Sequence, residues 1–152
     1  MSAQDAVALA RDLLRFDTVN PPGRERDCAH MVGNLLQEWG FSVEYSEYEK
    51  DRTSVIARAG GSDAKAPLCL TGHLDVVPLG TRKWSKDPFS GETDGELLYG
   101  RGSSDMKAGV AAILIAARNF SRHFAAATSV APPAPPAEAD SPACRLSGAL
   151  SP

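Results

Sequence analysis

Two short segments of the chain carry side chains able to bind a cation and to hold protons in place. The first is Thr71-Gly72-His73-Leu74-Asp75-Val76-Val77-Pro78. If the extended backbone of residues 68–72 continues through it, His73 and Asp75 project to the same side, because side chains repeat every two residues along a strand. They would emerge beyond the strand's carboxyl end, where open α/β sheets bind ligands. A neutral imidazole is a good zinc ligand, and a carboxylate holding its other ring N–H fixes the tautomer and raises its basicity. His73 then reads as a ligand and Asp75 as its orienting group. Taken alone, a His-x-Asp pair reads rather as a surface histidine beside a solvated aspartate, because a metal site needs several converging donors.

The second segment is Gly100-Arg101-Gly102-Ser103-Ser104-Asp105-Met106-Lys107-Ala108-Gly109. Its glycines permit a tight turn ahead of a helix. Asp105 falls at the expected helix start, where first-turn N–H groups favour an anion. By itself it is a capping aspartate; combined with His73 it is a carboxylate able to bridge two metal ions. A phosphate cradle is disfavoured, since neither G-x-G-x-x-G nor G-x-x-x-x-G-K-[ST] occurs. Arg101 could steady a carboxylate at the metal edge or form a structural salt bridge. Trp84, Pro88 and Phe89 read as loop packing beneath the site.

The elements that must position these groups follow from periodicity. Leu9, Leu13 and Phe16 with Val7, Ala10 and Leu14 have helical spacing, which predicts a helix over 3–16 started by Ser2 and Asp5. Asn20-Pro21-Pro22-Gly23 makes a loop. A second helix is expected from Arg24 to Trp39, with Cys28, Val32, Leu35 and Trp39 on one face and Gly40 as its stop. Phe41, Val43 and Tyr45 alternate with polar residues as a half-buried strand, and Thr53 to Ala57 is a second. Leu68-Cys69-Leu70-Thr71 is apolar enough for an interior strand covered on both faces, with Cys69 a core thiol. Asp94-Gly95 predicts a two-residue hairpin turn. Met106 to Phe120 reads as a helix with Val110, Ile113, Leu114 and Ala117 on its apolar face. Alternating helices and strands imply an α/β class with a mixed sheet.

Composition sets the outer bounds. The chain has 152 residues, 43% hydrophobic and 23% charged, as expected for one domain that can bury a core. With 16 Lys+Arg against 19 Asp+Glu the net charge is −3, which argues against gripping nucleic acid or an anionic membrane. The longest apolar-and-glycine run, Ala108 to Ala117, is about half the length of a membrane span. Asp5, Arg11 and Asp12 interrupt the opening apolar stretch, so no signal peptide is expected there. Three cysteines without C-x-x-C spacing point to a reducing, cytoplasmic setting. Residues 125–152 hold nine Ala, six of the eleven Pro and four Ser, too little apolar bulk to offset ordering entropy. The expected division is therefore a folded region, 1–124, and a disordered C-terminal tail, 125–152.

The ordered blocks T-G-H-L-D-V-V-P, W-S-K-D-P-F and D-G-E-L-L-Y-G-R-G-S-S-D-M-K-A-G closely resemble the zinc-dependent aminoacylase family. That family includes acetylornithine deacetylase, succinyl-diaminopimelate desuccinylase and the glutamate carboxypeptidases. Asp17-Thr18-Val19-Asn20-Pro21-Pro22-Gly23 resembles the family's opening loop. The resemblance covers about residues 1–122. It implies an incomplete mixed sheet flanked by helices, the N-terminal part of a phosphorylase/hydrolase-like zinc exopeptidase catalytic domain. It further implies that His73 ligates one zinc, Asp105 bridges two, and Asp75 orients His73, with cobalt able to substitute. Paired ions of this kind, about 3.5–4 Å apart, activate water and polarise the scissile carbonyl. The implied substrate is an N-acyl amino acid or small peptide, and intact members are expected as homo-oligomers.

The family pattern also requires a Glu-Glu pair, a further acidic ligand and a distant histidine. Glu138 stands in the right region without a strand before it and reads as a solvated tail charge. His30 and His123 match no ligand position and read as surface or packing residues. The change of pattern near residues 121–124 reads as a shifted or premature reading frame or a miscalled gene end. The expectation is a family member inactive on its own, with association with a partner as the alternative role.

Overall fold

The computed structural model describes residues 3–60 and 66–127. The Ser2 cap, part of the turn after Gly60, Glu138 and the tail from residue 128 lie outside the described residues. Helix α1 spans Ala3–Leu14, with Asp5 in its first turn and Arg11 in its last, each favourably placed on the helix dipole. Helix α2 spans Arg26–Glu38 and ends before Gly40, as its apolar face and glycine stop predict. Strands β1 (Ser42–Glu49) and β2 (Arg52–Arg58) form an antiparallel hairpin in which Tyr45 faces Val55. The two strands alternate in burial because only one face lies on α2.

The core lies where α1, α2 and α3 (Ala108–Ala127) meet. Leu13 and Cys28 are fully buried there, packed with Leu9, Val32, Leu36, Val110, Ala111 and Leu114. Burial pushes the Cys28 thiol up to about 11, against the opposing influence of nearby Lys107. At neutral pH a thiol reagent should therefore modify exposed Cys69 in the native protein and reach Cys28 only on unfolding. Peptide mass spectrometry of a Cys144→Ser variant reads this directly, and rapid native labelling of Cys28 would contradict the packing.

The α/β class holds, in the form of small sheets. β1–β2 is one ladder; β3 (Thr93–Asp94) and β4 (Leu97–Leu98) form a second antiparallel pair. Its connecting residues are Gly95-Glu96, one position beyond the expected Asp94-Gly95, because Asp94 itself pairs with Leu97. Among the described residues the parallel component is a single bridge between Val19 and Val76.

Two expectations are corrected. Residues 68–71 form no strand, and Leu68 and Leu70 are 73% and 47% exposed, with Cys69 exposed between them. Their apolarity marks a segment suited to cover on two faces, but among the described residues no strand pairs with it. The last helix begins at Ala108 rather than Met106. Asp105 is extended (φ −134°, ψ 101°) and Met106 is also non-helical (φ −134°, ψ 29°), conformations that a helix cannot include, so an irregular turn, Ser103–Lys107, precedes α3.

Candidate functional site

The loop after α1 is stitched to the segment bearing His73. Asn20 N–H donates to the Val76 carbonyl at 2.9 Å, and Val76 N–H donates to the Thr18 carbonyl at 3.0 Å. The buried Thr18 hydroxyl donates to the Leu74 carbonyl at 2.6 Å. These bonds fix the backbone on both sides of Asp75, although no regular strand leads into it.

A second anchor holds Asp105. Gly102 has φ +92°, and a Cβ there would lie 2.6 Å from a Val76 methyl, so only glycine turns the chain this closely. Lys107 N–H closes the turn on the Gly102 carbonyl at 2.8 Å. The Lys107 side chain is fully buried and its ammonium donates to the Phe16 carbonyl at 2.8 Å. Burial pushes its pKa down, opposed by Cys28 and Asp17. The turn carrying Asp105 is thus tied to the residues just after α1, the same region that grips residues 74–76.

The two anchors bring the predicted residues together. His73 Nε2 lies 3.0 Å from Asp105 Oδ1, and His73 Nδ1 lies 3.1 Å from Asp75 Oδ1 and 3.0 Å from the Asp75 carbonyl. Partial burial is the largest influence on the ring and disfavours its charge. Hydrogen bonding to Asp75 and Asp105 and the two carboxylate charges outweigh it, raising the His73 pKa above the ordinary histidine value. Asp105 does not act as a helix cap: its backbone is extended and its carboxylate turns to His73.

His73, Asp75 and Asp105 line a cleft of about 400 Å³ together with Trp84, Tyr99 and Arg101. The Arg101 guanidinium stacks 5.0 Å above the Trp84 ring and reaches the Leu79 carbonyl at 3.5 Å. Trp84 Nε1–H donates to that same carbonyl at 3.1 Å. Among the described residues Arg101 forms no ion pair, neither with a carboxylate at the cleft nor as a structural salt bridge, and its cation–π contact holds the 79–84 loop instead. A more open groove of about 740 Å³ lies along α1 and α2 beside Phe16, His30 and Met31. Exposed His30 stacks on Tyr45 with centroids 4.3 Å apart, a surface ring contact.

The donor set fits a divalent cation: an imidazole nitrogen faces a carboxylate oxygen, while a second carboxylate holds the far side of the ring. Among the described residues no cluster of three His, Cys, Asp or Glu side chains could hold a metal ion, so they offer only part of a closed centre.

Residues 69–131, which include both segments, match the model of the peptidase family M20/M25/M40. The chain is 39% identical over 117 residues to a succinyl-diaminopimelate desuccinylase of Pseudoalteromonas translucida, an alignment covering 76% of the chain and 30% of that protein. It is 39% identical over 123 residues to the enzyme of the same name from Rhodospirillum centenum, covering 78% and 31%. With the Acinetobacter baylyi protein of that name it shares 35% over 121 residues, covering 79% and 31%. The chain belongs to the M20/M25/M40 family. It spans about 30% of the length of these M20 relatives.

Sequence reasoning assigned no function to Thr18, Asn20 or Lys107, although all three stand in quoted family-like blocks, and left Arg52 just outside the strand expected from Thr53, which the structure begins at Arg52. A buried charge such as Lys107 has no composition signal; only its place between Asp105 and an apolar helix hinted at it. No helix among the described residues is long and apolar enough to cross a membrane.

Proposed function

We propose that this chain carries one part of the metal centre of a hydrolase that cleaves the amide bond of an N-acyl amino acid or small peptide. The observation that carries the reading is the convergence of His73 Nε2 and Asp105 Oδ1 at 3.0 Å, from segments 32 residues apart, with Asp75 behind the ring. In this reading His73 is a ligand, Asp105 a ligand shared between two ions, and Asp75 the group that orients His73. Zinc is the favoured ion, with cobalt as its substitute. A bound divalent cation would supply Lewis acidity toward a carbonyl and lower the pKa of water.

The chain's own residues supply the rest of what can be derived. Asp75 accepts the Nδ1 proton and leaves the Nε2 lone pair directed at the cleft. Gly102 and Lys107 fix the turn that presents the Asp105 carboxylate to that nitrogen. Trp84 and Arg101 line one wall of the cleft. The desuccinylase relatives remove a succinyl group, by their name, which supports an N-acylated amine as the substrate class. The three cysteines lack a disulfide framework, which supports a cytoplasmic setting.

One imidazole and one facing carboxylate are fewer donors than catalysis on paired ions requires. The folded unit of residues 1–124 is thus expected to bind a cation without turning over substrate, and further donors must come from outside the described residues. The exposed Leu68 and Leu70 favour a second reading, association with another polypeptide that covers this segment. Calorimetric titration with Zn²⁺, followed by assay on N-succinyl and N-acetyl amino acids, tests both. Chelator-sensitive binding that His73→Ala abolishes supports the cation site, and absence of binding by the full chain would overturn it.

A further inference from the structure

The Asn20-Pro21-Pro22-Gly23 loop takes no part in the cation-binding geometry described above, yet its first residue touches that geometry directly. Asn20 Nδ2–H donates to Asp75 Oδ2 at 3.0 Å, across 55 residues of chain. The other Asp75 oxygen, Oδ1, faces His73 Nδ1 at 3.1 Å. The two oxygens of one carboxylate are therefore divided between an amide and an imidazole, which leaves the carboxylate little freedom to rotate.

The amide is itself held from its other end. Arg52 Nη1–H points to Asn20 Oδ1, long at 3.4 Å, and Arg52 Nε lies 3.5 Å from the buried carboxylate of Glu25. Only one orientation of the Asn20 amide suits both neighbours. A carboxylate can only accept and a guanidinium can only donate, so Nδ2 must face Asp75 and Oδ1 must face Arg52. An amide bridges an anion and a cation in this way; an aspartate, a serine or an alanine lacks one half or both. Gly23, at the other end of the loop, makes the bridge possible. Its φ is +86° and a Cβ there would lie 2.7 Å from Arg52 Nε, so glycine leaves the space in which the guanidinium reaches Asn20.

We infer that Asn20 is a positioning residue that acts through Asp75 to set the tautomer and aim of His73. The polar series Glu25, Arg52, Asn20, Asp75, His73 runs from the start of α2 through β2 to the cleft. The Asn20 amide and the His73 ring divide the two Asp75 oxygens between them, which holds the carboxylate against His73 Nδ1 and so favours the Nδ1 proton; a cation at the cleft would take the place of the proton that Nε2 shares with Asp105. The inference rests on the reading of His73 as a cation ligand for its functional meaning, but its structural content is independent of any ion.

The test uses the full chain with ¹⁵N-labelled histidine, examined at fixed pH by two-bond ¹H–¹⁵N spectra that report which ring nitrogen of His73 is protonated. His73→Ala assigns its signals against His30 and His123. Co²⁺ titration followed by absorption gives the second readout, and thermal melts by circular dichroism confirm folding. The Asn20 backbone bond to Val76 survives every substitution at this position. Asn20→Ala should lower the Nδ1-protonated fraction and weaken Co²⁺ binding about tenfold, the low end of what loss of an outer partner costs. Asn20→Asp keeps the shape, removes the donor and should lose at least as much. Asn20→Ser retains a donor and should recover part of the loss. In an Asp75→Ala background, Asn20→Ala should cost nothing more, because the coupling runs through Asp75.

An unchanged ring signature and unchanged affinity in folded Asn20→Asp would overturn the inference, as would additive losses in the double variant. Should the wild-type chain take up no Co²⁺, the reading of His73 as a ligand falls. The ring signature of the Asn20 variants then still decides whether Asn20 positions Asp75.

Discussion

Replacing His73 by alanine is expected to weaken Zn²⁺ or Co²⁺ binding by more than a hundredfold. Loss of a partner behind a ligand costs about 10–100-fold, and removal of the ligand itself must exceed that. Asp75→Ala should fall within the smaller range, because it leaves Nε2 in place and removes only its orienting contact. Stability should scarcely respond to His73→Ala. The side chain is 48% exposed, and substitutions at such positions shift stability by about 0.5 kcal/mol or less. Calorimetric titration beside a thermal melt separates the two quantities. Wild-type affinity in folded His73→Ala would move the cation to other residues altogether.

The second large effect belongs to the core. Leu13→Ala should destabilise the fold by about 3–5 kcal/mol, from lost transfer energy and the cavity left among side chains that cannot close on it. Leu13 is fully buried between α1, α2 and α3, so relaxation into the space is limited. Val7 on the same helix is 46% exposed, and Val7→Ala should cost about 0.5 kcal/mol or less. Urea unfolding with an unchanged slope would show that the difference lies in stability and not in the compactness of either state. Because the residues just after α1 carry the Phe16 carbonyl that receives Lys107, the Leu13 cavity should also loosen the turn bearing Asp105. A cost below 1 kcal/mol would mean that α1 is not part of the cooperative unit.

Periodicity made the helices legible: the 3.6-residue spacing of Leu9 and Leu13, or of Cys28 and Val32, follows from local geometry and needs no knowledge of partners. The β1–β2 hairpin was legible for the same reason, its alternation surviving because one face alone is covered. Residues 68–71 were misread because an apolar run states only what a segment requires, not whether a neighbouring strand meets it. The helix start at Ala108 was misplaced because the non-helical backbone at Asp105 and Met106 is set by the anchors at Gly102 and Lys107, which join parts of the chain far apart in sequence. His73, Asp75 and Asp105 could be named from type and spacing, since imidazole and carboxylate chemistry is local. Asn20 could not be, because its meaning depends on Arg52 and Asp75 arriving on opposite sides of one amide.

The exposed thiol at position 69 has a practical consequence. Three residues separate it from His73, so the two α-carbons, four steps apart along the chain, are at most about 14 Å from each other even with the intervening backbone fully stretched. A nitroxide or fluorophore attached there would sit close enough to a paramagnetic ion at the cleft for relaxation or quenching to register its arrival. The protein thus carries its own attachment point for following occupancy in real time, on a stretch of surface whose modification leaves the helical packing untouched.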